Sequence, residues 1–392
     1  MLQEDNGKLP LAHFLKQYFA QYKKYGSRDR KQITHLCYCF YRLGKSLPGL
    51  AIEEKLKIAI YLCNNNANAW QVLFDDTWNE WSENLHERIS FVQKKYPFSI
   101  TGIFPWKDEL SGAVDVPVFI ESHLVQPDLF LRIRPDKLKT VSEKLNHAQI
   151  SYNKLSETCL QLPNNTKIET VLNIDEEVVV QDYSSQRIVE FLKLITYNSS
   201  LITLWDCCAA SGGKSILAKD VLSDIDLTVS DVRSSILKNL QERFAKAGIK
   251  KYHSFVTDLA EVKSQKLKAK NSFTSHFSLF DLVLCDVPCS GSGTWGRTPE
   301  QLFFFDTKKI NEFHSLQTKI VSNTIPQVKE GGYFLYITCS VFKKENEKVV
   351  EFIQQKFPFM QLLKKEVLVG YDKKADTMFA ALFKKGSTLR SE

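Results

Sequence analysis

Apolar residues recur at helical spacing over residues 11–96, where every third or fourth position is hydrophobic. The polar stretch Ser-Arg-Asp-Arg at residues 27–30 predicts the start of a second helix, and Gly44 predicts its end. Scattered prolines, glycines and aromatic residues then fill positions 97–127, which is typical of an irregular connector. We therefore predict an N-terminal helical domain and connector over residues 1–126.

The pattern then alternates between strand and helix periods. Residues 129–134 predict a strand, residues 136–147 an amphipathic helix and residues 159–162 a short strand. These elements indicate a small α+β module over residues 127–177.

From about residue 178 onward, short apolar runs are separated by stretches of helical length. This order is the signature of βαβ units and a parallel sheet, so we predict an α/β domain over residues 178–392. The predicted strands are residues 201–205, 226–230, 279–284 and 333–337, with helices after Lys214, Arg233, Ser315 and Asn346.

Composition excludes several classes of protein. A hydrophobic fraction of 43% and a charged fraction of 25%, without a long apolar run, predict a globular protein with no membrane segment. The acidic, polar start does not resemble a secretory signal, so we expect a cytoplasmic protein. Nine cysteines, an odd number without paired Cys-x-x-Cys spacing, predict free thiols and no metal site. A net charge of +7 fits a polyanionic partner, and fits a slightly basic protein without one equally well.

The loop after the first predicted strand of this domain has the character of a nucleotide pocket. Its small residues and glycines allow close approach of a ligand, and the following helix start offers N–H groups to an anion. It lacks the spacing of a phosphate-binding or dinucleotide loop, and a plain tight turn is the alternative. The candidate binding residues are Cys208, Ala209, Ala210, Ser211, Gly212, Gly213 and Lys214.

Acidic residues follow the next two strands. Asp231 could accept the hydroxyl protons of a ribose, the way such folds hold adenosine. Asp258 could accept from an adenine amino group, although aspartate is common at turns.

Two cysteines follow later strands, Cys289 in Asp-Val-Pro-Cys-Ser and Cys339 in Thr-Cys-Ser. Side chains at the carboxyl ends of parallel strands project into the ligand crevice, so these thiols and Asp286 are candidate catalytic groups. The alternative is that a cysteine on an apolar strand packs in the core. Arg297, a few residues later, could meet a phosphate or be an ordinary surface charge.

The small α+β module carries a candidate RNA-binding face. Arg132, Arg134, Lys137 and Lys139 would supply phosphate contacts that bind without reading sequence. A charged, solvated helix is the alternative interpretation.

Four stretches, in order along the chain, resemble the motifs of the RsmB/NOP family of RNA 5-methylcytosine methyltransferases. They are residues 180–186, 206–214, 286–293 and 338–347. The resemblance implies a Rossmann-like class I methyltransferase domain, with the small module as a ferredoxin-like RNA-binding insertion. The first helices are faintly similar to a NusB-like domain.

The resemblance also implies roles for single residues. Cys339 would form a covalent bond to carbon 6 of cytosine, Cys289 would assist release, and Asp286 would bind the edge of the base. S-adenosylmethionine would be the cofactor, held by residues 208–214 together with Asp231, Asp258 and Asp286.

The chain departs from the family pattern at three places. Ser211 stands where proline is usual, Thr257 where glycine is usual, and Thr377-Met378 where Gly-Phe is usual. None removes a proposed catalytic group, and the last affects the local shape near the expected substrate.

The expected partner is RNA, with ribosomal RNA favoured over tRNA, and the expected state is a monomer. Two other functions stay open from sequence. One is an RNA-binding ribosome-assembly factor with vestigial activity. The other is a DNA cytosine-5 methyltransferase, in which Cys289 would be the nucleophile and Cys339 dispensable.

Overall fold

The computed structural model describes residues 1–67, 69–78, 81–196, 201–261 and 279–386. The predicted domains also include residues 68, 79–80, 197–200, 262–278 and 387–392, which lie outside the described residues. The chain divides into two compact units. The first unit comprises residues 1–127, 292–307 and 371–374, and the second comprises the rest.

The secondary structure follows the predicted order of a helical region, a small α+β region and a βαβ region. The described α-helices are α1 (Leu11–Gln21), α2 (Ser27–Arg42), α3 (Ile52–Cys63), α4 (Leu85–Lys95), α5 (Val116–Ser122), α6 (Leu138–His147), α7 (Tyr183–Gln186), α8 (Val189–Leu192), α9 (Gly213–Leu222), α10 (Ser234–Lys246), α11 (Pro299–Phe304), α12 (Lys308–Thr324) and α13 (Glu347–Lys356). The described strands are β1 (Leu129–Ile133), β2 (Asn153–Lys154), β3 (Cys159–Leu162), β4 (Val178–Val180), β5 (Ile202–Asp206), β6 (Ile225–Asp231), β7 (His253–Val256), β8 (Phe280–Asp286), β9 (Val328–Thr338), β10 (Met360–Leu368) and β11 (Met378–Lys385).

The first unit is helical over the range that the periodicity predicts. Helix α2 begins at Ser27, where the side chain of Asp29 accepts a hydrogen bond of 3.0 Å from the Gly26 N–H. The chain turns shortly after this helix at Gly44, whose φ is +54°. A Cβ atom there would lie 2.1 Å from the Ile103 carbonyl oxygen, so only glycine fits.

A small antiparallel sheet in the second unit has the order β2-β3-β1-β4. Helix α6 packs on it through Val141 and Leu145. The fourth strand, Val178–Val180, pairs with β1, so this sheet extends past the expected boundary at residue 177. Residues 127–180 contain a single helix, and the expected ferredoxin-like arrangement is not confirmed.

The larger sheet of the second unit is Rossmann-like, as predicted, with the order β10-β11-β9-β8-β5-β6-β7. Strands β9, β8, β5, β6 and β7 run parallel, and each of the predicted strand segments lies in it. Strands β10 and β11 add an antiparallel edge that the sequence analysis did not predict. Helix α12 begins at Lys308, whereas the sequence analysis predicts a helix only after Ser315, because the charged residues in its first turns mask the helical period.

Arg132 and Arg134, which the sequence analysis expects to bind RNA, form ion pairs within the second unit. Arg132 Nη1 lies 2.5 Å from Asp220 Oδ2, and Arg134 Nη2 lies 2.7 Å from Asp220 Oδ1. Asp220 lies on α9, and the side chains of Arg132 and Asp220 are only 5% and 6% exposed. Arg132 also donates to Gln181 Oε1 at 2.7 Å. Both guanidinium groups therefore tie the small sheet to the larger domain instead of facing a phosphate.

Among the described residues, no helix combines the length and the apolar character needed to cross a membrane.

Replacement of Asp220 by alanine should destabilise the second unit strongly. It leaves two largely buried guanidinium groups without their carboxylate, and breaking such a pair costs about 3–5 kcal/mol. Chemical denaturation measures the free energy of unfolding. The matched control is Asp224→Ala, because Asp224 is exposed, and this change should have little effect. Equal stabilities of the two variants would contradict the assigned role of Asp220.

Candidate active site

A cavity of about 560 Å³ opens at the carboxyl ends of the parallel strands in the second unit. Pockets for small molecules usually span roughly 300–1,000 Å³, so this cavity has the size of a ligand site. The lining residues are Cys207, Cys208, Ala210, Asp231, Val232, Arg233, Thr257, Asp258, Leu259, Asp286, Val287, Pro288, Cys289, Leu316, Ile320 and Cys339.

The loop between β5 and α9 contributes to one end of the cavity. Cys208 and Ala210 line it, and Ala210 has a φ of +46°, a backbone conformation that non-glycine residues rarely adopt. Gly212 has a φ of +82°, and a Cβ atom there would lie 2.5 Å from a ring carbon of Phe244. The remaining predicted loop residues do not line the cavity; they are Ala209, Ser211, Gly212, Gly213 and Lys214.

Ser211, which stands where the family usually has proline, is held by polar contacts. Arg243 Nη1 lies 2.9 Å from Ser211 Oγ and 3.1 Å from the Ser211 carbonyl oxygen. The same guanidinium group forms an ion pair with Asp175 at 2.7 Å. Hydrogen bonds from α10 thus restrain the loop at the position where a proline ring would restrain it.

Asp231 lies at the end of β6 and is 5% exposed. Its Oδ2 accepts a hydrogen bond from the Ala210 N–H at 3.1 Å, and its Oδ1 accepts one from the Arg233 N–H at 2.9 Å. The exposed Arg233 side chain also donates to Oδ1 at 3.1 Å and to Oδ2 at 3.4 Å, so ligand hydroxyl groups would bind this carboxylate by displacing the arginine. Asp258 lines the same end of the cavity but is exposed, and its Oδ1 accepts from the Ala260 N–H at 2.9 Å.

The walls between these polar groups are apolar. Val232, Leu259, Leu316 and Ile320 line the cavity, and the sequence analysis did not identify them. Leu316 and Ile320 are four residues apart on α12, so the helical period is the signal that could have found them. An acidic group beside apolar walls is suited to a nucleoside, with the carboxylate on the ribose and the walls against the base.

Cys289 and Cys339 meet at the other end of the cavity, and their Sγ atoms lie 3.2 Å apart. The hydrogen bond to Cys339, followed by burial, raises the pKa of the Cys289 thiol well above its ordinary value. Either sulfur can be the donor in this contact. All nine cysteines lie within the described residues and are free thiols, as predicted.

Asp286 is paired with a lysine beside the two thiols. Lys214 Nζ lies 2.6 Å from Asp286 Oδ2, and the two side chains are 14% and 26% exposed. Burial acts to lower the pKa of Lys214, but the neighbouring Asp286 carboxylate outweighs it and the pKa is raised. Lys214 was expected to contact the cofactor. Its ammonium group instead holds Asp286, which itself lines the cavity.

Asp206, the last residue of β5, is a buried carboxyl group beneath the site. Ser215 Oγ donates to its Oδ2 at 2.6 Å, whereas its Oδ1 has no hydrogen-bond partner among the described residues. Burial raises the pKa of Asp206 to about 7, and the nearby Asp286 carboxylate acts in the same direction. The fold thus keeps a carboxyl group where its ionised form is disfavoured.

The other predicted RNA contacts do not lie at the cavity. Arg297 belongs to the first unit, and Lys137 is a half-buried residue of the small α+β module. Within the described ranges, no group of three or more His, Cys, Asp or Glu side chains is arranged to hold a metal ion.

Asp206 makes the stability of the protein depend on pH in a definite direction. In the unfolded chain this carboxyl group loses its proton near pH 4, but in the folded protein it keeps the proton until about pH 7. The folded state therefore binds more protons between these values, and stability falls as pH rises through them.

The Asp206→Asn variant should lack this loss. The free energy of unfolding of the wild type should decline relative to the variant from pH 4 to pH 7, by up to about 1.4 kcal/mol per pH unit. Denaturant titrations at several pH values measure it, with the exposed Asp224→Asn as control. Parallel curves for wild type and Asp206→Asn would contradict a raised pKa of Asp206.

Comparison with known proteins identifies relatives of this chain. Residues 195–382 match the family model described as 16S rRNA methyltransferase RsmB/F. The probable ribosomal RNA small subunit methyltransferase B of Bacillus subtilis (strain 168) is 28% identical over 244 residues, which cover 60% of this chain and 51% of that protein. The ribosomal RNA small subunit methyltransferase B of Cronobacter sakazakii is 30% identical over 185 residues, covering 47% of this chain and 40% of that protein. The chain spans about half the length of the curated relatives it matches, or less.

The fold has a counterpart among solved structures. The crystal structure of PH0851 superposes with a TM-score of 0.68, covers 94% of this chain and 93% of that one, and is 20% identical. At this identity the likeness concerns the fold alone. The family match extends from before β5 into β11 and includes both cysteines and the loop between β5 and α9. Over this segment, the chain is similar to the RsmB/F family of methyltransferases.

Proposed function

We propose that the protein transfers a methyl group from S-adenosylmethionine to carbon 5 of a cytosine in RNA, through a covalent bond to Cys339. The observation that carries this proposal is the 3.2 Å separation of the Cys289 and Cys339 sulfurs at one end of a cavity whose other end carries Asp231. Methylation of a base through a covalent intermediate needs two features in one site: a thiol that attacks the base and a pocket that binds the nucleoside part of the cofactor.

The cavity fits the cofactor that the family implies. Asp231 would accept the ribose hydroxyls, Asp258 the adenine amino group, and the apolar side chains between them would cover the ring. Cys208 and Ala210 would lie against the methionine part. When bound, S-adenosylmethionine supplies an electrophilic methyl group.

Cys339 is assigned as the nucleophile. Carbon 5 of cytosine is too poor a nucleophile to take a methyl group directly, but thiolate addition at carbon 6 converts it to an enamine-like carbon. The contact between the two thiols raises the pKa of Cys289, which disfavours its thiolate. The sulfur that attacks in the proposed reaction is that of Cys339, as the family resemblance implies.

Asp286 and Lys214 act on the base during addition. The Asp286 carboxylate lines the cavity and can bind the amino and ring-nitrogen edge of cytosine, which favours the protonated ring that accepts a nucleophile. Lys214, at 2.6 Å, fixes the position of that carboxylate.

Cys289 assists the release of the product. A base takes the proton from carbon 5, the electron pair of that C–H bond restores the double bond between carbons 5 and 6, and the bond from carbon 6 to sulfur breaks. The sulfur of Cys339 leaves as a thiolate. The S–H of Cys289, 3.2 Å away, stabilises the leaving sulfur by donating a hydrogen bond to it.

Ribosomal RNA is the proposed substrate, because the matched family model and both relatives are described as ribosomal RNA methyltransferases. A tRNA cytosine is the alternative. Both cysteines and Asp286 line one cavity, which an assembly factor without activity would not need. A DNA-type mechanism with Cys289 as nucleophile fits poorly with a pKa that is raised at Cys289.

With Arg132 and Arg134 engaged by Asp220, the proposed RNA-binding face of the small α+β module is reduced to Lys137 and Lys139. Lys139 is exposed and Lys137 half-buried, so both ammonium groups can reach solvent.

Cysteine variants should separate the two halves of the reaction. Cys339→Ala should lower methyl transfer by more than about 10³-fold, because no covalent bond to the base can form. Cys289→Ala should accumulate a protein–RNA adduct that survives a denaturing gel. The assay uses radiolabelled S-adenosylmethionine with unmodified ribosomal RNA and tRNA transcripts as separate substrates.

Cys63→Ala, on α3 of the first unit, is the matched control and should keep full activity. Full activity of Cys339→Ala would refute the mechanism. Transfer to tRNA but not to ribosomal RNA would support the alternative substrate. If the wild type binds RNA and S-adenosylmethionine but transfers nothing, the assembly-factor function stands instead.

The double variant Lys137→Gln, Lys139→Gln should weaken RNA binding and make it less dependent on salt. Each lost phosphate contact should reduce the slope of log affinity against log salt by about 0.7 to 0.9. Fluorescence anisotropy at several salt concentrations measures both. An unchanged slope would mean that these lysines are only solvated surface.

A further inference from the structure

Glu345 is a buried carboxylate that no step of the proposed reaction uses. It is 0% exposed and lies just before α13. Its Oε2 accepts the Ser290 N–H at 2.8 Å, and its Oε1 accepts the Ser340 hydroxyl at 2.8 Å. These two serines directly follow Cys289 and Cys339. One side chain therefore bonds to both of the loops that carry the thiols.

Two further polar side chains extend this bridge. Gln317 Nε2, from α12, donates to Glu345 Oε2 at 3.0 Å and to the Pro288 carbonyl oxygen at 3.1 Å. Pro288 directly precedes Cys289, so the residues on both sides of this cysteine are restrained.

Asn346 restrains Cys339 in the same way. Its Oδ1 accepts the Thr338 hydroxyl at 2.6 Å, and its Nδ2 donates to the Ser340 carbonyl oxygen at 2.9 Å. Ser290 Oγ also donates to Ser340 Oγ at 3.1 Å, which links the two loops to each other. Every residue that adjoins either thiol is thus held by a hydrogen bond from this network.

A buried carboxylate is costly unless donors satisfy it. Burial raises the pKa of Glu345, and its hydrogen bonds from Ser290, Ser340 and Gln317 act against that rise. An apolar side chain would be enough to fill this space. The Glu345 carboxylate instead accepts hydrogen bonds from three separate segments, and these bonds hold the segments in fixed positions.

We propose that Glu345 is a positioning residue that sets the distance between the sulfurs of Cys289 and Cys339, and thereby the rate of product release. The kinetic part of this inference rests on the proposed function, whereas the geometric part does not. Without the carboxylate, Cys339 still reaches the base from the end of β9 and forms its bond. Cys289, on a longer loop after β8, loses its place beside the leaving sulfur.

The geometric part is tested by disulfide formation, which measures how often the thiols meet. Two thiols lose two protons and two electrons to form one S–S bond, and diamide accepts them to become its hydrazine. Glu345→Ala should oxidise at least about tenfold more slowly than the wild type at the Cys289–Cys339 pair, since a misplacement near 1 Å can cost up to about 10²-fold. Mass spectrometry of the linked peptides measures the rate, without RNA or cofactor.

The kinetic part is tested by the covalent adduct. Glu345→Ala should accumulate a protein–RNA adduct on denaturing gels, as Cys289→Ala does, and turnover should fall while adduct formation is kept. Glu345→Gln keeps the shape and one carbonyl acceptor, so it should fall between wild type and Glu345→Ala in both assays. Glu351→Ala, at an exposed site on α13, is the control and should match the wild type.

The outcomes are distinct. Slower oxidation without any adduct in any variant would keep the positioning role but refute the proposed function. Wild-type oxidation rates in both Glu345 variants would overturn the positioning role. If Glu345→Ala does not fold, Glu345→Gln alone decides, and an oxidation rate equal to that of the wild type would overturn the inference.

Discussion

The parallel pairing of β8 with β9 is the constraint on which the site depends. Asp286 at the end of β8 lies opposite Ile337, next to the end of β9, and the Val287 N–H extends the ladder to the Ile337 carbonyl oxygen at 3.1 Å. Because two neighbouring parallel strands end at the same edge, the segments that leave them start side by side. Two cysteines far apart in sequence thereby come within 3.2 Å.

Around this edge of the sheet, several carboxylate side chains are buried or half-buried and need partners of opposite charge. Asp206, Asp231 and Asp286 lie close enough for their charges to act on one another, and Lys214 pairs with Asp286 while Arg233 pairs with Asp231. Burial is the main cause of the raised pKa of Asp206, and the other two carboxylates add to it. Such strained electrostatics are common at functional sites, where a ligand completes what the protein alone leaves unsatisfied.

The sequence predicted what local patterns encode. Apolar runs bounded by turns gave the parallel strands, and the residues after them gave Asp231, Asp286, Cys289 and Cys339 at one cavity. Helix α2 began where its polar start indicated. These features depend on residues that are neighbours in the chain.

What the sequence could not show depends on distant partners. From sequence alone, Arg132 and Arg134 are candidates for phosphate contacts. In the folded protein, both side chains form ion pairs with Asp220. From sequence alone, Lys214 is a candidate cofactor contact. In the folded protein, its ammonium group forms an ion pair with Asp286. Glu345 lies in a segment that the sequence marks only by its resemblance to the family motif. Its proposed role follows from hydrogen bonds to two loops that are far apart in sequence.

The most direct test of the account is to locate the covalent bond. Cys289→Ala is incubated with RNA and S-adenosylmethionine, the trapped adduct is digested with protease and nuclease, and the modified peptide is sequenced by mass spectrometry. The account predicts a methylated cytidine nucleotide on the peptide that contains Cys339. A nucleotide attached to any other residue, or no adduct despite methyl transfer by this variant, would contradict it.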